Sequence, residues 1–108
     1  MTVKEFAEKL GLKALAMPDG SREIKSGYAG DLLSWVMGKA PSDAAWFTIM
    51  SNVNIVAVAM LRDVAAIVVC EGAEIGEDVI AKANEQDVNL LLGDKGIYEL
   101  SVELSKLI

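Results

Sequence analysis

The sequence predicts an α/β fold: one three-layer domain over residues 1–108, with a mainly parallel sheet of about five strands flanked by helices. Three observations carry that prediction. Short β-branched or apolar runs alternate with amphipathic segments along the whole chain. The run "AAIVVC", Ala65 to Cys70, is apolar on both faces, as a strand covered by helices on both sides must be, and "VNLLL", Val88 to Leu92, reads as another buried strand. Apolar residues make up 53% of the 108, enough to bury one core.

The elements follow in order. Thr2 and Glu5 have the spacing of a capping box. Val3, Phe6, Ala7 and Leu10 then share one helical face, and Gly11 stops the helix. Lys13 to Met17 reads as a short strand and "PDG", Pro18 to Gly20, as a turn. "REIKSG", Arg22 to Gly27, reads as a second strand. Asp31 to Lys39 is predicted helical, with Asp31 as its N-cap and Ser34 in its first turn. "AWFTIM", Ala45 to Met50, is aromatic and β-branched, so a strand. Ser51 to Asp63 is either the second half of a hairpin or a helix capped by Ser51 or Asn52. Glu77 to Gln86 is a helix with Val79, Ile80 and Ala83 inward. Ile97, Leu100, Leu104 and Leu107 form the apolar stripe of a C-terminal helix.

Composition excludes several functions. The chain has no histidine, which removes Ser-His-Asp and Cys-His catalysis and the commonest metal ligand. Cys70 is the single cysteine, so the usual zinc sets are missing and no internal disulfide forms. The net charge of -6 opposes a nucleic-acid backbone. No apolar run is long enough to span a membrane, and the N-terminus lacks the order of a signal peptide, so a cytoplasmic location is expected. No metal or other cofactor is expected.

Four places carry polar groups in patterns that chemistry uses. In "SGYAGD", Gly27 and Gly30 flank Tyr28 and precede Asp31. That arrangement is either a corner capped by Asp31 or a loop whose backbone N–H groups, Tyr28 and Asp31 face a ligand. It is not a P-loop, because no G-x-x-x-x-G-K-[ST] string occurs. "SNVN" brings Ser51, Asn52 and Asn54 to the carboxyl end of a strand, where open α/β sheets bind ligands. Glu71, Glu74, Glu77 and Asp78 match the dipole of the helix they precede and lack the EF-hand pattern. In "GDKGIY", Lys95 is a cation placed after the last strand.

Taken together, "GYAGDLLSWVM", "WFTIMSNVNIVAVAMLRDVAAIVV" and "IGEDVIAKANEQDVNLLL" resemble the DRTGG domain family, most of all its small stand-alone bacterial members. The most telling strings are Gly27 to Ser34 and Asn54 to Ala59. The likeness extends from about Lys13 to the end. The same family is similar to the N-terminal domain of HPr kinase/phosphorylase and occurs beside phosphate acetyltransferase and cystathionine-β-synthase-type domains. The resemblance implies a regulatory or ligand-sensing role, often within a dimer, and it implies a helix over Asn52 to Arg62. Where the Asp-Arg-Thr-Gly-Gly motif belongs, this chain reads "MSNVN", Met50 to Asn54, so no role of that motif carries over.

That helix has Val53, Ile55, Val56, Val58, Met60 and Leu61 almost all round it, which requires cover on most sides. A homodimer interface there, or at Trp35 and Met37, is the expectation. The function expected is a non-catalytic sensor of a nucleotide or phosphorylated metabolite, with a crevice at the carboxyl ends of the strands. The alternatives are a docking subunit for a partner protein and, further off, a histidine-free enzyme using Asp31, the Glu71 cluster or Lys95.

Overall fold

The computed structural model describes residues 1–108. Its elements are α1 (Val3–Leu10), β1 (Lys13–Ala16), β2 (Ser26–Ala29), α2 (Leu33–Lys39), β3 (Ala44–Thr48), α3 (Asn54–Arg62), β4 (Ala66–Val69), α4 (Glu77–Glu85), β5 (Leu90–Leu92) and α5 (Ile97–Ser105). The sheet order is β1-β5-β4-β3-β2. Strands β2 to β5 are parallel, while β1 runs antiparallel to β5 at one edge.

Each crossover from β2 to β5 moves one strand in the same direction. Crossovers of one hand then put α2, α3 and α4 on one face. Side-chain parity shows this in the packing. Trp46, Ile67, Val69 and Leu90 meet Val36 of α2, Ile55, Val56 and Ala59 of α3, and Val79 and Ala83 of α4. The alternate residues Ala45, Phe47, Ala66, Val68 and Leu91 meet Val3 and Phe6 of α1 and Leu100 and Leu104 of α5. The three layers are therefore α2–α4, sheet, and α1 with α5. Phe6 and Phe47 meet edge to face at 6.3 Å. Each fully buried large side chain, Trp46 and Phe47 among them, stabilises by about 1.5–3 kcal/mol relative to exposure.

The α1 capping box is present in full: the Glu5 N–H donates to Thr2 Oγ1 at 3.1 Å and the Thr2 N–H to Glu5 Oε1 at 2.9 Å. Gly11 closes the helix in the left-handed region, φ 65°. Residues 54–62 are a helix and not a hairpin arm. Three expectations fail. The second strand is not at Arg22 to Gly27. Residues 22–24 are held by the N-terminus instead, through Val3 N–H to Arg22 O (2.9 Å), Ile24 N–H to Met1 O (2.8 Å) and a Thr2–Glu23 bridge, and pairing with β3 starts only at Ser26. Leu107 lies beyond the end of α5 and is exposed. Asp31 does not cap α2: Leu32 holds that position, with no side-chain bond.

No helix is long and apolar enough to cross a membrane.

Candidate functional site

Because β2 to β5 are parallel, their carboxyl ends share one rim. On it lie Gly30 and Asp31 after β2, Ile49 to Val53 after β3, Cys70 to Gly72 after β4, and Gly93 to Gly96 after β5. The rim is where Asp31 finds its role. Thr48 Oγ1 donates to Asp31 Oδ1 at 2.7 Å, and the Ile49 N–H donates to the same oxygen at 2.9 Å. Thr48 Oγ1 in turn accepts from Met50 N–H at 3.2 Å. The carboxylate thus ties the end of β2 to the end of β3. It satisfies donors that the strand, on leaving the sheet, no longer pairs. Trp46 adds a second tie, its indole N–H donating to Gly30 O at 2.9 Å. A carboxylate at this position looks like a cap in sequence because the helix starts two residues later.

The two glycines of "SGYAGD" serve packing. Gly27 lies within β2, and a Cβ there would stand 3.1 Å from Leu104 Cδ2, so glycine lets α5 approach the sheet. A Cβ on Gly30 would stand 3.3 Å from the Tyr28 ring. Tyr28 is half-buried and packs toward the α2–α4 side. Neither glycine has a positive φ.

Ser51, Asn52 and Asn54 are brought together at the start of α3. Asn52 Oδ1 accepts the Asn54 N–H at 2.9 Å, so Asn52 does satisfy one of the orphan donors of the helix, from a turn rather than from the cap position itself. The side chains of Asn52 and Asn54 are exposed beside it.

Lys95 stands apart, at the end of β5, about 10 Å from β3 by two strand spacings. It bonds Glu103 Oε1 at 2.8 Å, and that carboxylate raises its pKa. Glu71, Glu74, Glu77 and Asp78 do not converge: no three His, Cys, Asp or Glu side chains are grouped to hold a metal ion. Cys70 is fully covered, donates to Val68 O at 3.4 Å, and is pushed up to about 11 by burial. Its thiol therefore stays protonated at neutral pH.

Three concavities lie away from the rim. The largest, about 400 Å³, opens between β2 and α5 and is lined by Gly27, Ala29, Phe47, Leu104 and Ile108. A polar one of about 260 Å³ sits at the opposite ends of the strands beside Asp19, Arg22, Asp63 and Asp87. The third, about 250 Å³, lies between α1 and β1.

The outer surface of α2 and α3 is apolar. Leu32 (60% exposed), Trp35 (58%), Met60 (48%) and Leu61 (67%) face outward with Val53 and Ala57. Buried residues Ile55, Val56, Val58 and Ala59 hold the other side of α3 on the sheet. No Asp or Glu occurs from Leu32 to Ser42 or from Ala44 to Arg62. Lys39 lies over the Trp35 ring at 4.2 Å.

Two features of the molecule were absent from the sequence reading. Asn89 is buried, with Asp19 N–H on its Oδ1 (3.0 Å) and its amide donating to Asp19 O (2.8 Å) and Ala65 O (2.9 Å). Arg22 bonds Asp43 Oδ1 at 2.8 Å and Asp63 Oδ1 at 2.9 Å. A polar residue in second place of the apolar run "VNLLL" is the only signal for the first.

No family model and no curated protein matches the sequence. Among solved structures the chain is similar to the CBS and DRTGG domains of the regulatory region of Clostridium perfringens pyrophosphatase, complexed with its activator diadenosine tetraphosphate. The likeness has a TM-score of 0.73 at 10% identity and covers 94% of this chain but 44% of that one. This chain thus spans less than half of that structure, and what the two share is the fold: a DRTGG-like fold, the one that the Gly27–Ser34 and Asn54–Ala59 strings imply.

Proposed function

We propose that this domain is a non-catalytic regulatory module of the cytoplasm that acts as a homodimer and senses a nucleotide or phosphorylated metabolite. The observation that carries the reading is the α2/α3 face. It is apolar, free of carboxylates, and bordered at one end by Ser51, Asn52 and Asn54. A chain of net charge -6 repels its own copy almost everywhere, and this face is where that repulsion is weakest. Helices α1 and α4 expose Lys, Glu and Asp on their outer sides; α3 exposes Val53, Ala57, Met60 and Leu61. A face of this kind on a monomer is unusual and marks an interface.

In this reading the ligand crevice at the carboxyl ends is completed by the second copy. Gly30, Asp31 and the Ser51–Asn54 turn supply one wall, and the paired face supplies the other. The chemical groups an enzyme would recruit are committed elsewhere. Asp31 Oδ1 accepts two bonds, Lys95 pairs with Glu103, and the Cys70 thiol is covered. That favours sensing over catalysis. The regulatory setting of the similar pyrophosphatase region supports the same reading.

Two measurements test it. Sedimentation at about 50 μM should give twice the 11.5 kDa chain mass. Leu61→Asp should give a folded monomer. Thermal melting against adenine nucleotides, acyl phosphates and sugar phosphates should then show one compound that raises Tm in the dimer and not in Asn54→Ala. A wild-type monomer at that concentration sinks the dimer. A dimer indifferent to every compound leaves a docking subunit as the function.

A further inference from the structure

We infer that Asp19 is a modification site of the folded chain: its carboxyl group condenses with the Gly20 nitrogen and reopens as an isoaspartyl link, at a pace set by the buried Asn89. The site lies at the amino ends of the strands, apart from the rim and the α2/α3 face of the ligand-sensing reading.

The chemistry needs a backbone nitrogen that can approach the side-chain carboxyl group of the residue before it. A Cβ on the following residue crowds that approach, and glycine has none. Asp19-Gly20 is the one Asp-Gly pair of the chain, and no Asn-Gly pair occurs. Every other Asp and Asn precedes a residue with a side chain. The fold adds conditions that sequence does not show. Asp19 is exposed and lies in a turn, outside any helix or strand. The Gly20 N–H donates to no acceptor in the protein, so its nitrogen is not held away. Ser21 Oγ donates to Asp19 Oδ1 at 3.1 Å and draws the carboxyl group toward the chain that follows.

A clamp opposes these conditions. The Asp19 N–H donates to Asn89 Oδ1 at 3.0 Å, and Asn89 Nδ2 donates to Asp19 O at 2.8 Å. The Arg22 N–H donates to the same carbonyl at 3.3 Å. Ring closure turns the Asp19–Gly20 peptide, which these bonds hold, so it proceeds from a locally opened turn. Breaking the two Asn89 bonds leaves that turn open roughly one part in ten to one part in a hundred.

The step balances with water alone. The Gly20 nitrogen bonds to Asp19 Cγ as a Cγ–O bond breaks. That oxygen leaves as water, with the amide proton and one proton from solvent. Water then adds to the main-chain carbonyl carbon of Asp19, and its bond to the Gly20 nitrogen breaks. The chain now runs through Cβ and Cγ, the former carbonyl is a free carboxylate, and solvent recovers its proton. Asp19 borders the open polar concavity of about 260 Å³, so water reaches the ring. The product has one more carbon between the N–H and the carbonyl of residue 19. The spacing that matches the Asn89 amide is lost, and Asn89, only 2% exposed, gives up one of its two bonds to that residue.

The test follows the whole chain and a peptide of residues 16–23 at neutral pH and physiological temperature. Isoaspartyl groups are counted by methyl transfer from S-adenosylmethionine, with an isoaspartyl methyltransferase as reagent, and placed by electron-transfer mass spectrometry. Expected is modification at Asp19 alone, roughly ten to a hundred times slower than in the peptide. Hydrogen exchange at the Asp19 N–H of the wild type should give an open fraction within about threefold of that rate ratio. Asn89→Ala, shown by its melting curve to fold, should react within about threefold of the peptide rate. Asp19→Glu cannot close the five-membered ring and should show no modification. Gly20→Ala places a Cβ 2.8 Å from the flexible Met17 thioether, which can yield, and should react at least about tenfold more slowly than wild type. No isoaspartyl group at Asp19 by the time half of the peptide has converted, modification first at another residue, or a wild-type rate equal to the peptide's overturns the inference. So does a folded Asn89→Ala chain that reacts no faster than wild type, or an open fraction unrelated to the rate ratio.

Discussion

Replacing Asp31 by Ser separates two roles that a carboxylate in front of a helix can have. Were Asp31 an N-cap, Ser would serve nearly as well, since Ser and Asp cap with similar strength. As a tether it cannot. The Asp31 Oδ1 atom accepts from Thr48 Oγ1 at 2.7 Å and from Ile49 N–H at 2.9 Å, and a seryl oxygen sits one bond closer to its own backbone. Thr48 is fully buried, so its hydroxyl loses its acceptor in a place water does not reach. A hydrogen bond to a charged group contributes about 1.5–3 kcal/mol, and the exposed half of this pair falls at the low end. The expected cost of Asp31→Ser is therefore about 2 kcal/mol, a fall in Tm of roughly 8 °C for a domain of this size. Asp31→Asn keeps an oxygen in place and loses only the charge, so it should cost about half as much. Urea unfolding followed by far-UV circular dichroism reads both. A double-mutant cycle with Thr48→Val should return a coupling of about 1 kcal/mol. Asp31→Ser within about 0.5 kcal/mol of wild type would refute the tether and restore the cap.

Other outcomes follow from the same contacts. Asn89→Ala should cost about 3 kcal/mol or more by urea unfolding, because it strands Asp19 N–H, Asp19 O and Ala65 O together. Thr2→Ala should cost about 1 kcal/mol through the lost capping box. The pH dependence has two limbs. Glu5 is held below its ordinary range by the Thr2 backbone and hydroxyl, and Asp43 by the Arg22 guanidinium. Their contribution is present above the unfolded carboxylate pKa, about 4, and is lost as pH falls through the folded values. Cys70 runs the other way. Its folded thiol titrates near 11 against an ordinary 9.0, so stability falls as pH rises from 9.0 to about 11. Denaturant midpoints across pH should show both limbs, and Cys70→Ala should flatten the alkaline one.

The parts legible in sequence are those fixed by local chemistry. Thr2, Glu5 and Gly11 bound α1 because a capping box and a left-handed closing residue act within one turn. The run Ala65 to Cys70 reads as a central strand because burial on both faces demands it. What failed depended on partners distant in the chain. Arg22 to Ile24 have strand-like composition, yet they pair with Met1 to Val3 and not with β3. Asp31 looks like a cap in sequence because its true partners, Thr48 and Ile49, are 17 and 18 residues away. The periodicity of α3 was ambiguous for a related reason. Its outward Val53, Met60 and Leu61 erase the polar side that would mark a surface helix. Of the candidate site residues, Ser51, Asn52 and Asn54 did come together. Lys95 did not, since it follows β5 and β4 stands between it and them.

The Asp31 tether joins the end of β2 to the end of β3, from which the Ser51–Asn54 turn starts. In the ligand-sensing reading the same carboxylate lines the crevice, so Asp31→Asn should weaken stability and ligand binding together. Asn54→Ala, at an exposed side chain, should weaken binding alone. Asp31→Asn that costs stability and leaves the affinity for the ligand unchanged would confine Asp31 to the tether.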